Sequence, residues 1–298
     1  MSVSVAYLAV LLIWSTTPLG IVWSSETINP SLAVLLRMLI ALVLGALVIK
    51  MGKINLPWHK QALRLYSFSA LGIFGGMLCS YLAAPYLSSG IISLVFGLSP
   101  VISAVLAKRI LAEPNISGIR KFSMVISLLG LGVVCSDNFT LADDGIYGII
   151  FILLAVFFFS LSGVLVKSVS IAIHPLATTV GALTLATPMF LLTWLVLDGT
   201  LPVELWQARS IWSTLYLGVF GSLIAFYAYF TILQKLSASS VTLITLITPV
   251  VALSLGAMLN GEVITDKLII GAVMVLLGLS IYHFGHLIPG IKKKPIRS

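Results

Sequence analysis

The stretch from Ser88 to Glu113 reads SSGIISLVFGLSPVISAVLAKRILAE, and the stretch from Ser237 to Glu262 reads SASSVTLITLITPVVALSLGAMLNGE. The two stretches align without a gap at an offset of 149 residues. The identical positions are Ser88 and Ser237, Leu94 and Leu243, Pro100 and Pro249, Val101 and Val250, Leu106 and Leu255, and Glu113 and Glu262. Repetition over such a length indicates an internal duplication.

Each copy is an apolar run long enough to cross a bilayer core of about 30 Å as one helix, and each has a proline near its middle. Proline has no N–H group, so the carbonyl four residues earlier loses its helical donor. These carbonyls belong to Phe96 and Thr245. We therefore predict helix breaks or hinges at Pro100 and Pro249. One interrupted helix in each half is a pointer to a transporter's binding site, with two ordinary kinked packing helices as the alternative.

The composition is that of a membrane protein. Of the 298 residues, 59% are hydrophobic and only 9% are charged, and the mean hydropathy is +1.15. Soluble domains carry about 25% charged residues, so a soluble domain is excluded. A crossing needs about 20 residues. The chain offers ten candidate spans: 3–24, 31–49, 65–86, 90–111, 119–136, 145–167, 175–197, 211–234, 239–260 and 267–287.

Basic residues set the orientation, because cytoplasmic loops of membrane proteins are enriched in lysine and arginine. With the N-terminus inside, the cytoplasmic loops and tail hold fourteen of these residues, whereas the outside holds only Arg209 and Lys267. We therefore predict a multi-pass protein of the inner (plasma) membrane with both termini in the cytoplasm. The net charge of +8 then reflects topology and lipid headgroups, not nucleic acid.

The repeat extends to two halves of five spans each. The pairs in spans 3 and 8 are Leu71 and Leu217, Gly72 and Gly218, Phe74 and Phe220, Gly75 and Gly221, and Tyr81 and Tyr227. Because five is odd, the second half enters from the opposite side, which predicts an inverted repeat, a site between the halves and alternating access. The fold class is an all-α membrane protein with ten transmembrane helices in two inverted five-helix repeats. The predicted parts are a first repeat at 1–136, an acidic external linker at 137–144, a second repeat at 145–287 and a basic cytoplasmic tail at 288–298.

This doubled pattern resembles the two EamA repeats of the drug/metabolite transporter superfamily, in its ten-helix exporter type. The resemblance rests on the proline-centred helix ending in glutamate, on its echo in the second half, and on Asn29-Pro30 followed by Arg37. It covers nearly the whole chain. It implies ten helices in an inverted repeat and the export or exchange of small metabolites, often amino acids or related compounds.

Arg37 is a candidate for substrate binding, because it lies about seven residues into span 2, roughly 10 Å deep at 1.5 Å per residue. A charge inside a membrane is costly and marks a functional site by default. Here it would bind a substrate carboxylate, while capping of helix carbonyls or reaching outward is the alternative. Trp14, Tyr81 and Tyr227 are candidates for the cavity wall, with helix packing as their alternative.

Polar and acidic groups of the proline helices complete the predicted site. The candidates for substrate contacts are Ser93, Phe96, Ser99, Thr242, Thr245 and Thr248. Hydroxyl groups in membrane helices also bond to their own or a neighbouring helix, which is the alternative. Glu113 and Glu262 are candidates for a gate or for ion coupling, and bonding to backbone N–H groups of the next helix is their other interpretation.

These features favour a secondary transporter that exports small metabolites by alternating access, and the resemblance implies amino acids or related compounds as its substrates. An integral membrane enzyme on lipid or isoprenoid substrates, or a channel or receptor, is the alternative. The four histidines do not group with acids and no phosphate-binding loop is present, so we predict no catalytic residue, cofactor or metal. The expected partners are a small-molecule substrate and the lipid bilayer, without nucleic acid, and the oligomeric state stays open, a monomer being allowed.

No Asp or Glu lies within the ten spans. Proton-coupled carriers commonly use an intramembrane carboxylate. Downhill facilitation or exchange is therefore favoured over proton coupling, although coupling through Glu113 or Glu262 stays open.

Overall fold

The structure, a computed structural model, describes residues 1–113, 116–141, 145–236 and 244–284, and within 137–141 the backbone alone. In these residues the chain forms helices and no strand. Nine of the described helical segments are long and apolar enough to cross a membrane, and Ile244–Asn260 adds a shorter apolar helix. The prediction of an all-helical membrane protein with ten crossings is confirmed.

The helices are numbered α1 to α11, because one of the ten crossings is split into α4 and α5. Their bounds are α1 Val3–Ser24, α2 Pro30–Met51, α3 Lys60–Ala83, α4 Ser89–Phe96, α5 Ser99–Ile110, α6 Gly118–Leu141, α7 Gly145–Lys167, α8 Pro175–Leu197, α9 Ala208–Lys235, α10 Ile244–Asn260 and α11 Asp266–Phe284. Residues 1–136 thus supply α1 to α5 and most of α6, and the second half supplies α7 to α11.

The first turns of α2 and α8 show how repeated sequence sets repeated structure. The Asn29 side chain accepts a hydrogen bond from the Ser31 N–H group at 3.0 Å, and Nδ1 of His174 accepts one from the Leu176 N–H group at 3.2 Å. A proline follows each capping residue, at the start of the helix. The missing N–H group of proline costs nothing at that position. The Asn-Pro and His-Pro pairs therefore begin matching helices in the two halves.

Helices of one half pack on helices of the other half in matched pairs. α1 packs on α9 as α7 packs on α3, and α2 packs on α9 as α8 packs on α3. α1 also packs on α10, as α7 packs on α5. The contacts of α2 with α8, α4 with α10 and α6 with α11 join helices that correspond to each other in the repeat. This is the contact pattern of two halves related by an approximate two-fold axis.

α3 and α9 each contain a π-helical stretch, Gly72–Gly76 and Leu217–Ile224, at corresponding positions. Such stretches are rare and occur frequently at functional sites. Glycine lets a neighbouring helix approach these wider turns, since a Cβ atom at Gly218 would lie 2.7 Å from the Ile40 side chain of α2. Close approach through small residues is a common way of joining membrane helices.

The two proline crossings differ, and the difference corrects one prediction. The first is interrupted, because α4 ends at Phe96 and α5 begins at Ser99, beside Pro100. The second is continuous, because Pro249 lies inside α10 without interrupting it. The predicted break at Pro249 is therefore absent from the described part of that crossing.

The residues before the two prolines account for this difference. Gly97 stands in the first copy where Leu246 stands in the second. Glycine is less favourable than alanine in a helix by about 1 kcal/mol, whereas leucine is among the best helix formers. At the break, the Gly97 N–H group is shared between the carbonyls of Ser93 and Leu94 at 3.2 and 3.0 Å. Leu246 keeps α10 helical in spite of the hydrogen bond that its proline removes.

Candidate substrate site

A cavity of about 170 Å³ lies between the two halves. Its lining comes from α1, α2, α3, α4, α5, α7, α9 and α10, and thus from seven crossings. Sites for drug-sized ligands measure roughly 300–1,000 Å³, so this cavity suits a small metabolite. The predicted site residues that line it are Trp14, Arg37, Ser93, Phe96, Ser99, Pro100, Thr245 and Thr248. Thr242 lies outside the described residues.

Arg37 is the only charged side chain among the described residues that line the cavity, and 0% of it is exposed. Its Nε donates to Oγ of Ser222 at 2.7 Å, and its Nη2 donates to the Gly221 carbonyl at 2.9 Å. Its Nη1 is buried and has no hydrogen-bond partner. An unsatisfied donor on a buried charge is costly. Among the described protein groups, Nη1 thus lacks the acceptor that Nε and Nη2 each have.

The guanidinium is fixed between the two halves of the molecule. Both acceptors lie in the π stretch of α9, whereas Arg37 lies in α2. A Cβ atom at Gly221 would lie 3.1 Å from Nη2, so the guanidinium occupies the space that a side chain would take. The ring of Tyr81 lies 5.9 Å from Cζ, a distance at which the π face attracts a cation. Contacts from α3 and α9 thus orient the arginine before any ligand binds.

Tyr81 and Tyr227 correspond in the repeat, but neither lines the cavity. Tyr81 is fully buried, and its hydroxyl accepts a hydrogen bond from Oγ of Ser24 at 3.4 Å. Tyr227 stacks on His174 with ring centroids 6.0 Å apart, and its hydroxyl accepts a hydrogen bond from the N-terminal ammonium of Met1 at 3.4 Å. Neither tyrosine is therefore the wall residue that was predicted. The ring of Tyr81 lies beside the guanidinium, and Tyr227 packs on His174, the residue before α8.

Two aromatic pairs form walls of the cavity. Tyr229, two residues after Tyr227 on a different face of α9, packs against Trp14 with ring centroids 5.2 Å apart. Phe96 and Phe159 pack with centroids 5.5 Å apart. Sequence reasoning missed Tyr229 and Phe159, because matching the repeats selects residues that are alike in both halves. Nothing requires a wall residue to have such a counterpart.

Hydroxyl groups satisfy the backbone at the break between α4 and α5. Oγ of Ser99 donates to the Phe96 carbonyl at 2.7 Å, which is the carbonyl that Pro100 leaves without its helical donor. Oγ of Ser160, on α7, donates to the Ser99 carbonyl at 3.3 Å. Irregular backbone inside a membrane needs such internal partners. The second half thus holds the broken crossing of the first half in place.

Glu262 joins the end of α10 to the start of α4. Its Oε1 accepts a hydrogen bond from the Ser89 N–H group at 2.9 Å, and its Oε2 accepts one from the Gly90 N–H group at 3.2 Å. Nδ2 of Asn260 donates to Oε1 at 3.2 Å, and Oδ1 of Asn260 accepts from Nε1 of Trp23 at 2.8 Å. We call these five residues the Glu262 latch. The Glu262 carboxylate therefore caps α4, the helix of the other half that corresponds to α10. It does not cap α11, the next helix in the chain.

Glu113 follows α5 and corresponds to Glu262. It lies near enough to Lys167, the last residue of α7, for an electrostatic interaction. Positions 238 and 239, which correspond to Ser89 and Gly90, lie outside the described residues. In the part of the chain that the structure describes, no three His, Cys, Asp or Glu side chains are grouped as metal ligands.

Comparisons with known proteins identify relatives along almost the whole chain. A family model described as the EamA-like transporter family matches residues 1–136 and 146–283. An uncharacterized transporter of Archaeoglobus fulgidus is 28% identical over 272 residues, which cover 90% of this chain and 94% of the relative. Protein PecM of Dickeya dadantii is 28% identical over 271 residues, with coverages of 90% and 88%. Protein PagO of Salmonella typhimurium is 25% identical over 287 residues, with coverages of 93% and 91%.

A solved crystal structure has the same fold. It superposes with a TM-score of 0.65 and covers 94% of this chain and 96% of its own. The sequence identity is 18%, so the likeness is one of architecture.

Proposed function

The chain belongs to the EamA-like transporter family and is a multi-pass membrane transporter, and from this premise we propose its cargo and mechanism. It is a secondary transporter that moves small carboxylate-bearing metabolites, amino acids and related compounds, by alternating access. It works in the inner membrane with both termini in the cytoplasm and exports its substrate. The observation that carries the proposal is Arg37, a cation in the cavity lining whose buried Nη1 has no hydrogen-bond partner.

A carboxylate is the ligand that completes this arginine. Guanidinium groups bind carboxylates through short, charge-assisted hydrogen bonds, and they stay charged in proteins. Since Nε and Nη2 already donate to α9, a substrate oxygen would take the remaining Nη1 of Arg37. The aromatic walls around Trp14 and Phe96 would then bury the apolar part of the substrate.

Alternating access is supported by a contact that joins the two halves at one end of the cavity. In the proposed orientation the Glu262 latch lies outside and holds α4 to α10. The cavity lining extends from outer positions such as Ile21 to inner positions such as Gly163 and Tyr229. Rocking of the halves would part the latch and open the outer end. Substrate would then leave on the outer side, as export requires.

The distribution of charge supports the proposed orientation. Lys108 and Arg109 lie in the last turn of α5, and Lys167 ends α7. These ends are on the side that also receives the basic C-terminal sequence. Fourteen of the seventeen Lys and Arg residues fall on that side, as expected for a cytoplasmic face.

We propose that transport occurs by facilitation or exchange and is driven by substrate gradients. Among the described residues, no Asp or Glu lines the cavity. A proton-coupled carrier commonly needs an ionisable acid within the membrane. Flux should therefore follow the substrate gradient and not a pH gradient.

Flux into proteoliposomes tests the proposed function. Purified protein is reconstituted and offered a panel of labelled amino acids and related carboxylic acids, with and without a pH gradient. We expect saturable flux of at least one compound, independent of the pH gradient. Arg209→Ala is the control, because the exposed Arg209–Glu26 ion pair (2.7 Å) contributes only about 0–1 kcal/mol. Flux that never saturates would identify a channel, and absence of flux from folded protein would refute a carrier.

A cross-link of the latch tests alternating access. Cysteines replace Trp23 and Asn260, whose side chains are in contact, in a chain in which Cys79 and Cys135 are serines. Cross-linking should stop flux, because the outer end can no longer open. The same protein before cross-linking is the reference. Undiminished flux through the cross-linked protein would refute the mechanism.

A further inference from the structure

We propose that the preferred substrate is a monocarboxylate with an apolar or aromatic body, and that the cavity discriminates against the ammonium group of a free amino acid. The inference rests on the proposed function and narrows its substrate class. The favoured compounds are deaminated relatives of amino acids: their 2-hydroxy, 2-oxo and unsubstituted acids.

The charge of the filled cavity gives the first argument. Arg37 supplies one positive charge, and no described Asp or Glu lines the cavity to oppose it. A bound monocarboxylate makes the filled site neutral. A bound amino acid leaves a net charge of about +1, because its ammonium group adds a second cation beside the guanidinium. An unbalanced charge is costly where the local dielectric constant is low.

The backbone around the break gives the second argument. The C-terminal carbonyls of a helix are natural partners for a cation, and α4 ends at the cavity. Its last four carbonyls already have donors: the Gly97 N–H group for Ser93 and Leu94, the Leu98 N–H group for Val95, and Oγ of Ser99 for Phe96. The carbonyl of Ser99 is occupied as well, by Oγ of Ser160. An ammonium group would therefore have to share each of these oxygens with an internal donor.

The hydroxyl groups of the lining fit a neutral polar substituent. Oγ of Ser80 donates to the Gly76 carbonyl and Oγ1 of Thr17 donates to the Ile13 carbonyl, both at 2.7 Å. Each oxygen keeps lone pairs that accept a hydrogen bond from a substrate O–H group. A hydroxyl does not neutralise a cation. These groups therefore suit the hydroxyl of a 2-hydroxy acid better than an ammonium group.

The rest of the lining fits a ring or a branched chain. The Trp14–Tyr229 and Phe96–Phe159 pairs provide aromatic surface. Ile21, Met77 and Ile92 add aliphatic surface. In such a cavity the cation would bind the carboxylate of the substrate, and the apolar walls would contact the rest of the molecule.

A matched series of ligands tests the inference. The compounds are 3-phenylpropionate, phenyllactate and phenylalanine, which share a three-carbon skeleton, and phenethylamine, which lacks the carboxylate. Binding is measured as thermal stabilisation of the purified full-length protein, and flux in proteoliposomes. We expect the two acids to bind about tenfold or more tightly than phenylalanine and phenethylamine not to bind. Leucine and its 2-hydroxy and unsubstituted acids repeat the comparison with a branched chain.

Two variants sharpen the test. Arg37→Gln keeps hydrogen-bond donors but removes the charge, so the acids should lose their advantage over the amino acids. Ser93→Asp places a carboxylate in the lining and should move the preference toward phenylalanine or leucine. Equal or tighter binding of the amino acids by the unsubstituted protein would overturn the inference and leave the proposed function standing. Folded protein without saturable flux of any compound would overturn the proposed function, and the inference with it.

Discussion

Seven residues after Pro30 the chain places Arg37 in α2, and seven residues after Pro175 it places Ala182 in α8. Both positions are fully buried, and both helices begin with a capping side chain followed by proline. Only the arginine reaches across to the π stretch of the other half. Residues that are alike in both halves build the frame, and a residue that occurs once, Arg37, supplies the proposed binding group.

The two proline crossings also combine a repeated feature with a feature that only one half has. Pro100 and Pro249 correspond, yet α4 and α5 are separated whereas α10 is continuous. In the first half, Phe96, Ser99 and Pro100 beside the separation line the cavity. The continuous helix supplies the facing wall, with Thr245 and Thr248. An approximately symmetric frame thus encloses an asymmetric site, which suits a substrate that has a distinct head and body.

The largest effect should come from replacing Arg37, which has no charged counterpart in the second half. We expect Arg37→Ala to lower flux about 100-fold or more, since loss of a buried, charge-assisted contact costs about 3–5 kcal/mol. Arg37→Lys should keep part of the flux, because it retains the charge but not the planar fork. The measurement is initial flux per folded molecule. Ala182→Ser at the corresponding position is the control, and normal flux by Arg37→Ala would remove the arginine from the site.

An intermediate effect should come from the glycines of the π stretches. A Cβ atom at Gly221 would press on Nη2 of Arg37 at 3.1 Å, whereas one at its counterpart Gly75 would lie 2.6 Å from the Phe158 ring. Gly221→Ala should therefore raise KM about tenfold by displacing the binding group. Gly75→Ala should lower the free energy of unfolding by about 1–3 kcal/mol and leave KM unchanged. Equal shifts of KM in both variants would show that Gly221 and Gly75 do not differ in their effect on substrate binding.

The smallest effect should come from the hydroxyl at the break. Ser99→Ala leaves the Phe96 carbonyl without its donor, which costs about 0.5–1.5 kcal/mol. Flux should fall a few-fold, and hydrogen exchange should rise at the N–H groups around the break. Thr248→Val is the matched change at the corresponding position of the continuous α10. Equal increases in exchange for the two variants would contradict a special role of the hydroxyl at the break.

The crossings could be predicted closely from the sequence. The predicted spans 145–167 and 175–197 coincide with α7 and α8, because apolar runs bounded by caps, prolines and charges are local signals. Arg37 could be selected from its depth alone. Its acceptors could not, since Ser222 and Gly221 are 185 and 184 residues away in the chain.

The faces of the helices were harder to predict. The repeat pointed to Tyr227, but α9 presents Tyr229 to the cavity. The face of α9 that lines the cavity depends on its packing against helices distant in the chain, such as α1, which no local pattern in a single sequence reveals. The continuity of α10 could have been predicted from the sequence, because Leu246 stands where the first copy has Gly97. Helix propensity then offsets a proline that pattern matching treats as a break.

The link between Arg37 and α9 also sets an order of events during synthesis. A ribosome adds about 5–20 residues per second, so α2 emerges roughly 10–40 s before the π stretch of α9 exists. During that time the guanidinium lacks the two acceptors that it holds in the finished protein. A nascent chain that stops after the first half therefore carries an uncompensated cation in the bilayer. The core of the first half is complete only when α9 of the second half has been synthesised and has packed against it. Folding of the first half therefore depends on synthesis of the whole chain.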